Sequence, residues 1–477
     1  MTGDSEFRRQ AHALVDWMAD YLDTLEARPV TPDTTPGATA ARLPGSPPEH
    51  GEPFADIWRD FERLVLPGMA HWQHPGWMAY FPASSSAPSI LAEMATATLA
   101  AQCMSWQTSP AATELEQVTL EWLRQLIGLP AGFVGSIQDT ASTATLVAVL
   151  SARERATGGE FAAAGASAAG AGLLVAYASE EAHSSVPKAL RLAGFGEDRL
   201  RRVPVDDAFA LRPDRLGEMM DADRADGLLP ACVVATVGTT SSTALDPLRP
   251  IAAHCARHGA WLHVDAAYAG SAAICPEHRA MLDGVDGADS FVFNPHKWLL
   301  TNFDCSAYFV RDPALLVRTF GTAPAYLRGA FDAEVPNYRD WGIQLGRRFR
   351  ALKLWFVLRS IGVEGLREHV RKGVALGAEL VRRAGTEPGW HVAAPAPLAL
   401  VCLRYAPPGT APEQADELNR AILAQVNDAR RFHLTGTVLG GRQVIRVAVG
   451  GRLTEERHVD GVWAELRDAA RLLTRDS

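Results

Sequence analysis

The sequence has no pair of cysteines spaced for zinc binding or redox chemistry. Its six cysteines contain no CxxC pair, which favours reduced thiols in a core. It has no long run of lysine and arginine and its net charge is −9, so we expect no nucleic-acid partner. No stretch approaches the roughly 18 uncharged apolar residues of a membrane helix. The polar, acidic residues 1–6 are unlike a signal peptide. These absences predict a cytoplasmic protein without a membrane partner.

Residues 1–172 have three contrasting patterns. Apolar residues recur at steps of three and four over 7–25, which predicts an amphipathic helix. The stretch 29–53 is rich in proline, threonine and glycine and is expected to be irregular. The alanine- and glycine-rich stretch 161–172 is expected to be a flexible surface loop.

The remaining sequence predicts two further regions. Strand-like runs alternate with helical stretches, which indicates βα units and a largely parallel sheet. These runs are 172–176, 231–236, 261–265, 290–293 and 306–310. A helical segment at 348–371, strands at 398–405 and 443–449 and a closing helix through Leu472 predict a smaller domain. The length and the 47% hydrophobic content suit several domains. We place them at 1–85, 86–370 and 371–477.

One lysine lies in an otherwise apolar and aromatic stretch, FVFNPHKWLL at residues 291–300. Burial removes hydration from an ammonium group, so the pKa of Lys297 is expected to fall from about 10.4 toward neutrality. The resulting free amine forms Schiff bases with carbonyl cofactors, chiefly pyridoxal phosphate (PLP). Alternatively, the lysine stem crosses apolar neighbours and the charge stays in water.

A carboxylate stands at the end of the apolar run 261–265. The carboxyl end of such a strand faces the ligand crevice of an open α/β sheet. There, Asp265 can keep the pyridine nitrogen of PLP protonated. Capping of the next helix is the alternative. The chain between Asp265 and Lys297 has room for a crossover and another strand, so both side chains can reach one crevice.

The motifs HVDAAYAG at 263–270 and NPHKW at 294–298 resemble those of the group II PLP-dependent amino-acid decarboxylases, in particular the aromatic-L-amino-acid decarboxylases. The resemblance continues in colinear segments across nearly the whole chain. These segments are HPGWMAYFPASSSAPSILAEM at 74–94, SWQTSPAATELE at 105–116, DTASTATL at 139–146, EEAHSSVPKA at 180–189, ATVGTTSSTALDPL at 235–248 and LGRRFRALKLW at 345–355.

The resemblance implies an α/β protein of PLP-dependent transferase fold type I, which is aspartate-aminotransferase-like. Such a protein has a mostly parallel sheet in its large domain, a smaller α+β C-terminal domain and an N-terminal helical segment. In the family, the N-terminal segment packs against a partner subunit, so the resemblance implies a homodimer. A bundle helix within one chain is the alternative.

The resemblance also implies that pyridoxal 5′-phosphate is the cofactor, attached to Lys297 with Asp265 at its ring nitrogen. Helix N-termini bind anions, and the pattern Thr140-Ala141-Ser142 opens a helix, so these residues are expected to hold the phosphate. An ordinary N-cap is the alternative. The other implied cofactor contacts are His183, which would stack on the ring, Thr239, Ala267, Asn294 and His296. Without the resemblance, His183 would be assigned to a loop in solvent.

The resemblance assigns proton return to a tyrosine. The family uses a mobile-loop tyrosine, helped by the histidine before the lysine, and Tyr326 and His296 occupy these places. Related aldehyde-forming enzymes have phenylalanine instead, so Tyr326 favours the amine product. A packed loop aromatic is the alternative. The stretch 326–341 is about two residues shorter than in the animal enzymes, so the rate of loop closure, and with it turnover, is expected to differ.

The substrate pocket is expected to be apolar. Positions that resemble the family's pocket for an aromatic side chain are Trp72, Tyr80, Phe81, Pro82, Met104, Phe303 and Gly346. Gly346 resembles the indole-accepting members, whereas plant enzymes that prefer phenols have serine. We therefore expect L-tryptophan as the substrate, with L-tyrosine, L-DOPA and L-phenylalanine as alternatives, because one methylene discriminates by only about 1–3 kcal/mol. The family places the tyrosine loop and residues near Phe303 and Gly346 across the dimer interface.

Other activities remain open. Aldehyde synthase and aminotransferase chemistry use the same cofactor, and a non-catalytic dimeric scaffold could keep the fold. A metal site is not predicted, because His254 and His258 lie four residues apart without the glutamate of an HExxH motif.

Overall fold

The computed structural model describes residues 4–322, 331–332 and 334–475. Its α-helices are α1 (Asp4–Asp23), α2 (Phe54–Asp60), α3 (Ala87–Leu99), α4 (Pro110–Ile127), α5 (Ala141–Ala156), α6 (Phe161–Ala164), α7 (Ser185–Leu192), α8 (Pro213–Ala225), α9 (Leu248–His258), α10 (Pro295–Trp298), α11 (Pro313–Phe320), α12 (Arg350–Thr386), α13 (Pro412–Asp428) and α14 (Glu456–Arg475). Its strands are β1 (Val134–Gln138), β2 (Leu174–Ser179), β3 (Leu200–Val203), β4 (Leu229–Thr236), β5 (Trp261–Asp265), β6 (Ser290–Phe293), β7 (Ser306–Val310), β8 (Trp390–Val392), β9 (Leu400–Tyr405), β10 (Thr435–Leu439) and β11 (Arg442–Ala448).

Seven strands form the larger sheet, in the order β1-β7-β6-β5-β4-β2-β3. Strands β3, β2, β4, β5 and β6 are parallel, whereas β7 runs antiparallel to both β6 and β1. Strands β2 and β5 are buried along their whole length because helices cover both faces of the sheet. The predicted, largely parallel sheet is therefore confirmed.

Two strands of this sheet were not predicted. The sequence of β1, VGSIQ, has a glycine and polar residues, and that of β3, LRRV, has two arginines. Both strands lie at the edges of the sheet, where one side of the strand faces no neighbour. An edge strand does not need the continuous apolar run on which the prediction depended.

Helices α5 and α7 pack on one face of the sheet, and α4 packs on the other face with α12. The carboxyl ends of β4, β5 and β6 lie along one edge because these strands are parallel neighbours. The helix α5 begins at this same edge, directly after β1. Side chains that follow these strands can therefore meet the N-terminus of α5 in one crevice.

Four antiparallel strands form the second sheet, in the order β10-β11-β9-β8, and α13 packs on it. The predicted strands at 398–405 and 443–449 are confirmed as β9 and β11, and the closing helix is α14. Helix α12 leads into this part and bends at Gly362, where φ is 74° and ψ is 167°. The division at residues 85 and 370 stays a prediction; α12 continues through residue 370.

The predicted N-terminal helix is confirmed as α1, and 29–53 contains one short 3-10 turn, Ala40–Arg42, but no strand. The prediction of a loop at 161–172 was wrong in part. Its alanines form the single turn of α6, which ends at Ala164, and two 3-10 turns follow, at Gly165–Ser167 and Ala171–Leu173. Within the described ranges, no helix is both long and apolar enough to cross a membrane.

Candidate active site

A cavity of about 210 Å³ lies where the carboxyl ends of β4, β5 and β6 meet the first turn of α5. Most of the residues predicted to bind the cofactor line it. They are Thr140, Ala141, Ser142, His183, Asp265, Ala267, Asn294, His296 and Lys297. The crossover and strand between Asp265 and Lys297 bring these two residues to one crevice, as their spacing suggested.

Lys297 follows β6 in the short helix α10, and its amine reaches the cavity. The Nζ atom lies 5.1 Å from the centre of the Phe81 ring. That ring stacks on Tyr268, which in turn stacks on Trp298. These apolar surroundings lower the pKa of Lys297 to about 8 by desolvation, while the charge of Asp265 acts in the opposite direction. A larger fraction of neutral amine is thus present than for a lysine in water.

Asp265 is the last residue of β5 and is only 4% exposed. Its Oδ1 atom accepts a hydrogen bond from the Ala267 amide at 3.0 Å. Ala267 has a small side chain and also lines the cavity. The backbone turn after β5 therefore orients the carboxylate toward the crevice.

The two histidines of the cavity are neutral rings with defined tautomers. The Cys305 amide donates to Nδ1 of His296 at 2.9 Å, and the Ser185 amide donates to Nδ1 of His183 at 3.1 Å. A nitrogen that accepts a hydrogen bond carries no proton, so the hydrogen of each neutral ring is on Nε2. Burial, with the charge of Lys297, lowers the pKa of His296 to about 3. Burial also lowers the pKa of His183, with Asp265 opposing.

The opposite end of the cavity has hydrogen-bond donors suited to an anion. Thr140 caps α5, where its Oγ1 accepts from the Thr143 amide at 3.4 Å, and the first turn with Ala141 and Ser142 faces the cavity. Asn294 accepts the Ser306 hydroxyl through Oδ1 at 2.7 Å, which leaves its amide nitrogen as a donor. A helix N-terminus with a nearby amide is a phosphate-binding arrangement.

The structure does not bring Thr239 into this cavity. Its side chain is buried, contacts the Ser242 hydroxyl at 3.1 Å and accepts from the Ala244 amide. Thr236 lines the cavity instead, and its Oγ1 has no hydrogen-bond partner within the described part of the chain. It pairs with Asp265 in register across β4 and β5. Its place at the end of a strand was the only signal in the sequence, and it was missed.

A second cavity, of about 680 Å³, adjoins the first and shares Lys297, His183 and His296 with it. Five of the residues predicted to contact substrate line it, namely Trp72, Tyr80, Phe81, Pro82 and Phe303. Phe303 therefore faces the lysine of its own chain, which differs from the expectation that this region lies across a dimer interface. The rings of Trp72 and Tyr80 stack 5.6 Å apart. An aromatic wall therefore begins directly beside the lysine.

Two predicted substrate residues do not line this cavity in the single chain. The carbonyl of Met104 accepts the Arg339 amide at 2.9 Å, and Gly346 lies against Gln102. Tyr326 lies outside the described residues.

Arg446 lines the larger cavity and was not predicted. Its guanidinium donates to the carbonyl oxygens of Thr240 at 2.7 Å and Ser241 at 3.1 Å and to the Thr435 hydroxyl at 2.7 Å. It thereby joins the second sheet to the turn after β4. Its positive charge also helps lower the pKa of Lys297. An arginine within a strand pattern has no local feature that indicates such a role.

The mostly parallel sheet, with a lysine and a carboxylate facing one cavity at its carboxyl edge, is the architecture of the PLP-dependent enzymes of fold type I. The predicted fold class is confirmed by the comparisons that follow.

The chain belongs to the pyridoxal-dependent decarboxylase family, whose conserved domain matches residues 36–406. It is 44% identical to the aromatic-L-amino-acid decarboxylase of Sus scrofa, over 99% of this chain and 98% of that protein. It is 41% identical to the phenylacetaldehyde synthase of Arabidopsis thaliana, over 98% and 97% of the two chains. The crystal structure of Catharanthus roseus tryptophan decarboxylase in complex with L-tryptophan superposes with a TM-score of 0.92, at 38% identity and 99% coverage of both chains. The protein is therefore a PLP-dependent carboxy-lyase, as predicted.

Proposed function

We propose that this enzyme decarboxylates an aromatic L-amino acid to the arylalkylamine and CO₂, with L-tryptophan preferred. The observation that carries the proposal is the continuity of the two cavities, which places an aromatic wall beside Lys297. The similarity to a decarboxylase of aromatic L-amino acids and to a tryptophan decarboxylase supports the same substrate class.

We assign the cofactor contacts from the geometry and the family resemblance together. Lys297 would carry the cofactor, Asp265 would contact its ring nitrogen, and His183 and Ala267 would contact the ring. The N-terminus of α5, with Thr140, Ala141 and Ser142, and the amide of Asn294 hold the phosphate. Thr239 stabilises the turn after β4 through its contacts with the Ser242 hydroxyl and the Ala244 amide. The unpartnered hydroxyl of Thr236 provides the polar contact nearest Asp265.

Different residues of the chain contribute to different steps of the reaction. PLP, when bound, supplies a protonated ring that accepts the electron pair left on the α-carbon when CO₂ departs. Asp265 maintains the protonation of that ring. The carbon must then receive a proton. We propose that Tyr326 delivers this proton and that His296, whose neutral ring carries its hydrogen on Nε2, helps by holding the tyrosine through a hydrogen bond.

Aldehyde formation is the second candidate function, because an aldehyde synthase is among the relatives. The two reactions part after CO₂ has left, since protonation gives the amine and oxidation by O₂ gives the aldehyde. A tyrosine at residue 326 favours protonation.

The preference for tryptophan depends on Gly346. A Cβ atom at this position would approach Nε2 of Gln102 to 3.2 Å, so a larger residue must displace that amide. The same Gln102 side chain accepts the Arg347 amide at 2.7 Å through Oε1. A glycine here leaves space that an indole ring can occupy in the assembled enzyme.

We also propose a cytoplasmic homodimer. Apolar side chains of α1 and α2 are exposed in the single chain, and they include Phe7, Val15, Phe54 and Ile57. Exposed apolar surface of this kind suits burial against a second copy. In the dimer, we expect Met104 and Gly346 to complete the substrate cavity of the partner. The six cysteines are free thiols, which suits a reducing compartment.

The test is product analysis by mass spectrometry of PLP-loaded enzyme with L-tryptophan, L-tyrosine, L-DOPA and L-phenylalanine, with Lys297→Ala as the inactive control. Tryptamine formed fastest, with CO₂ and without peroxide, supports the proposal. A phenolic amine formed faster would contradict the tryptophan preference, and aldehyde with peroxide would contradict the role of Tyr326.

The variant Gly346→Ser tests whether residue 346 determines the preference for tryptophan over tyrosine. We expect it to lower kcat/KM for tryptophan relative to tyrosine by about 10-fold or more, the discrimination typical of a small pocket change. The matched control is Gly385→Ser, since a Cβ at Gly385 meets no atom within 4 Å. An unchanged ratio of kcat/KM for tryptophan to kcat/KM for tyrosine in Gly346→Ser would show that residue 346 does not line the substrate pocket.

A further inference from the structure

Three side chains of β5 share one face of the sheet. Trp261, His263 and Asp265 alternate along the strand, so they lie on the same side, which α5 covers. Asp265 is at the cavity, whereas the other two lie deeper in the protein. His263 has no exposed surface, although histidine is a polar residue. A buried polar ring directly behind a cavity carboxylate needs a physical reason.

Hydrogen bonds hold the His263 ring in one orientation. The indole nitrogen of Trp261 donates to Oγ of Ser290 at 2.8 Å, and the same oxygen lies 2.8 Å from Nδ1 of His263. Ser290 is opposite His263 in register on β6. A hydroxyl has two acceptor positions and one hydrogen, so Ser290 accepts from Trp261 and can either donate to Nδ1 of His263 or accept from it. When the hydroxyl donates, the hydrogen of the imidazole is on Nε2.

The Nε2 atom of His263 has no hydrogen-bond partner within residues 4–322, 331–332 and 334–475. Burial lowers the pKa of His263 to about 4, and the charge that opposes this shift is that of Asp265. The ring is therefore neutral near neutral pH, and Asp265 lies two residues further along the same face of β5. Of the two tautomers that the Ser290 contact allows, a nearby anion favours the one with the hydrogen on Nε2 over the one with a lone pair there.

We propose that His263 is a positioning residue for Asp265: its neutral ring, with the hydrogen on Nε2, stabilises the negative charge of the carboxylate from inside the sheet. The proposal rests on the assignment of Asp265 to the cofactor's ring nitrogen. A neutral ring suits the task better than a cation would. A positive charge behind Asp265 would compete with the protonated ring nitrogen for the same carboxylate.

The experiment uses PLP labelled with ¹⁵N at the ring nitrogen, bound to the full-length enzyme. The ¹⁵N chemical shift reports whether this nitrogen is protonated, and cofactor titration of the cofactor-free protein gives the dissociation constant. The variants are His263→Leu, which has no polar group, and His263→Gln, whose amide can place an N–H near the position of Nε2. Val264→Ala is the matched control, because it removes buried volume from the opposite face of the same strand.

We expect His263→Leu to move the ¹⁵N shift toward that of an unprotonated pyridine and to weaken cofactor binding about tenfold. His263→Gln should retain most of the wild-type shift. Val264→Ala should lower the melting temperature and leave the shift unchanged. A merely structural role for His263 would give the pattern of Val264→Ala in both His263 variants, and that result would overturn the proposal.

Asp265→Asn separates failure of the inference from failure of the proposed site. If Asp265→Asn moves the ¹⁵N shift and His263→Leu does not, only the role of His263 is wrong. If neither moves it, the assignment of Asp265 to the cofactor is wrong as well. Should His263→Leu not fold, Ser290→Ala replaces it. Ser290→Ala keeps the ring and removes its hydroxyl partner, so a smaller shift in the same direction supports the proposal and an unchanged shift overturns it.

Discussion

At the residue scale, the chemistry of this enzyme depends on side chains whose charge the interior has changed. Lys297 has a lowered pKa because its surroundings are apolar, and His296 and His183 are neutral for the same reason. The nearby Asp265 partly opposes burial at Lys297 and His183. The site thus holds a partly neutral amine and two N–H donors next to one anion, which is the set that the proposed reaction requires.

The lowered pKa of Lys297 predicts a pH-dependent stability. Folding lowers this pKa from 10.5 to about 8, so between these values the unfolded chain binds more protons and stability rises with pH. We expect cofactor-free Lys297→Met to be more stable than cofactor-free wild type at about pH 7. The difference should shrink by about 1 kcal/mol by about pH 9. Urea unfolding of both proteins measures it, and a difference independent of pH would contradict the lowered pKa.

The His296 ring predicts a loss of assisted proton transfer without loss of the fold. In His296→Asn, the side-chain oxygen can still accept the Cys305 amide, but the hydrogen-bond donor at the position of Nε2 is lost. We expect kcat to fall about a hundredfold, because the proton donor is then no longer held in place by a hydrogen bond. Steady-state assays measure it, with cofactor content as the check on binding and the exposed His391→Asn as control. Wild-type kcat in His296→Asn would exclude the ring from proton transfer.

At the scale of elements, one buried carboxylate joins three parts of the chain around the site. Glu116 of α4 accepts the Ile137 amide of β1 at 2.8 Å and the Arg347 guanidinium at 2.7 Å. Arg347 adjoins Gly346 and also donates to the Ile137 carbonyl at 2.8 Å. Both members of the ion pair are nearly inaccessible to water. This pair therefore holds the segment before α12 against the sheet.

Glu116→Gln leaves Arg347 buried without an anion. Loss of one partner from a buried pair is strongly destabilising, so we expect the free energy of unfolding to fall by about 3 kcal/mol. Glu121→Gln on the same helix removes a pair that Glu121 forms with Arg124 at the surface and should cost less than about 1 kcal/mol. Urea unfolding compares the two variants. Equal costs would show that the buried pair contributes no more than the surface pair.

At the scale of the whole molecule, a single chain leaves the proposed substrate pocket incomplete. Met104 and Gly346 do not reach the cavity beside Lys297, and apolar residues of α1 and α2 are exposed. A second copy would satisfy both observations if it buried the helices and brought its own Met104 and Gly346 to the cavity. Each active site of the dimer would then contain residues from both chains.

Hybrid dimers test this arrangement. If Tyr326 acts on the site of the partner, a dimer of Lys297→Ala with Tyr326→Phe has one intact site and one doubly defective site. With random pairing, we expect co-expression to restore about one quarter of the wild-type amine formation, because half of the dimers are hybrid and each has one working site. The two variants expressed separately are the controls. No gain on co-expression would place Tyr326 and Lys297 of one chain at the same site.

The sequence by itself determined the sheet class, the main buried strands and most of the residues that line the cavity beside Lys297. Lys297, Asp265 and His183 stand at the ends of apolar runs, and the order of strand, turn and helix is a local property of the chain. Tertiary structure alone decided the rest. Arg446 reaches the turn after β4, Cys305 sets the tautomer of His296, and Thr236 rather than Thr239 lines the cavity beside Lys297. These depend on contacts between segments distant in sequence or on the direction of one side chain, and neither leaves a periodic pattern in the sequence.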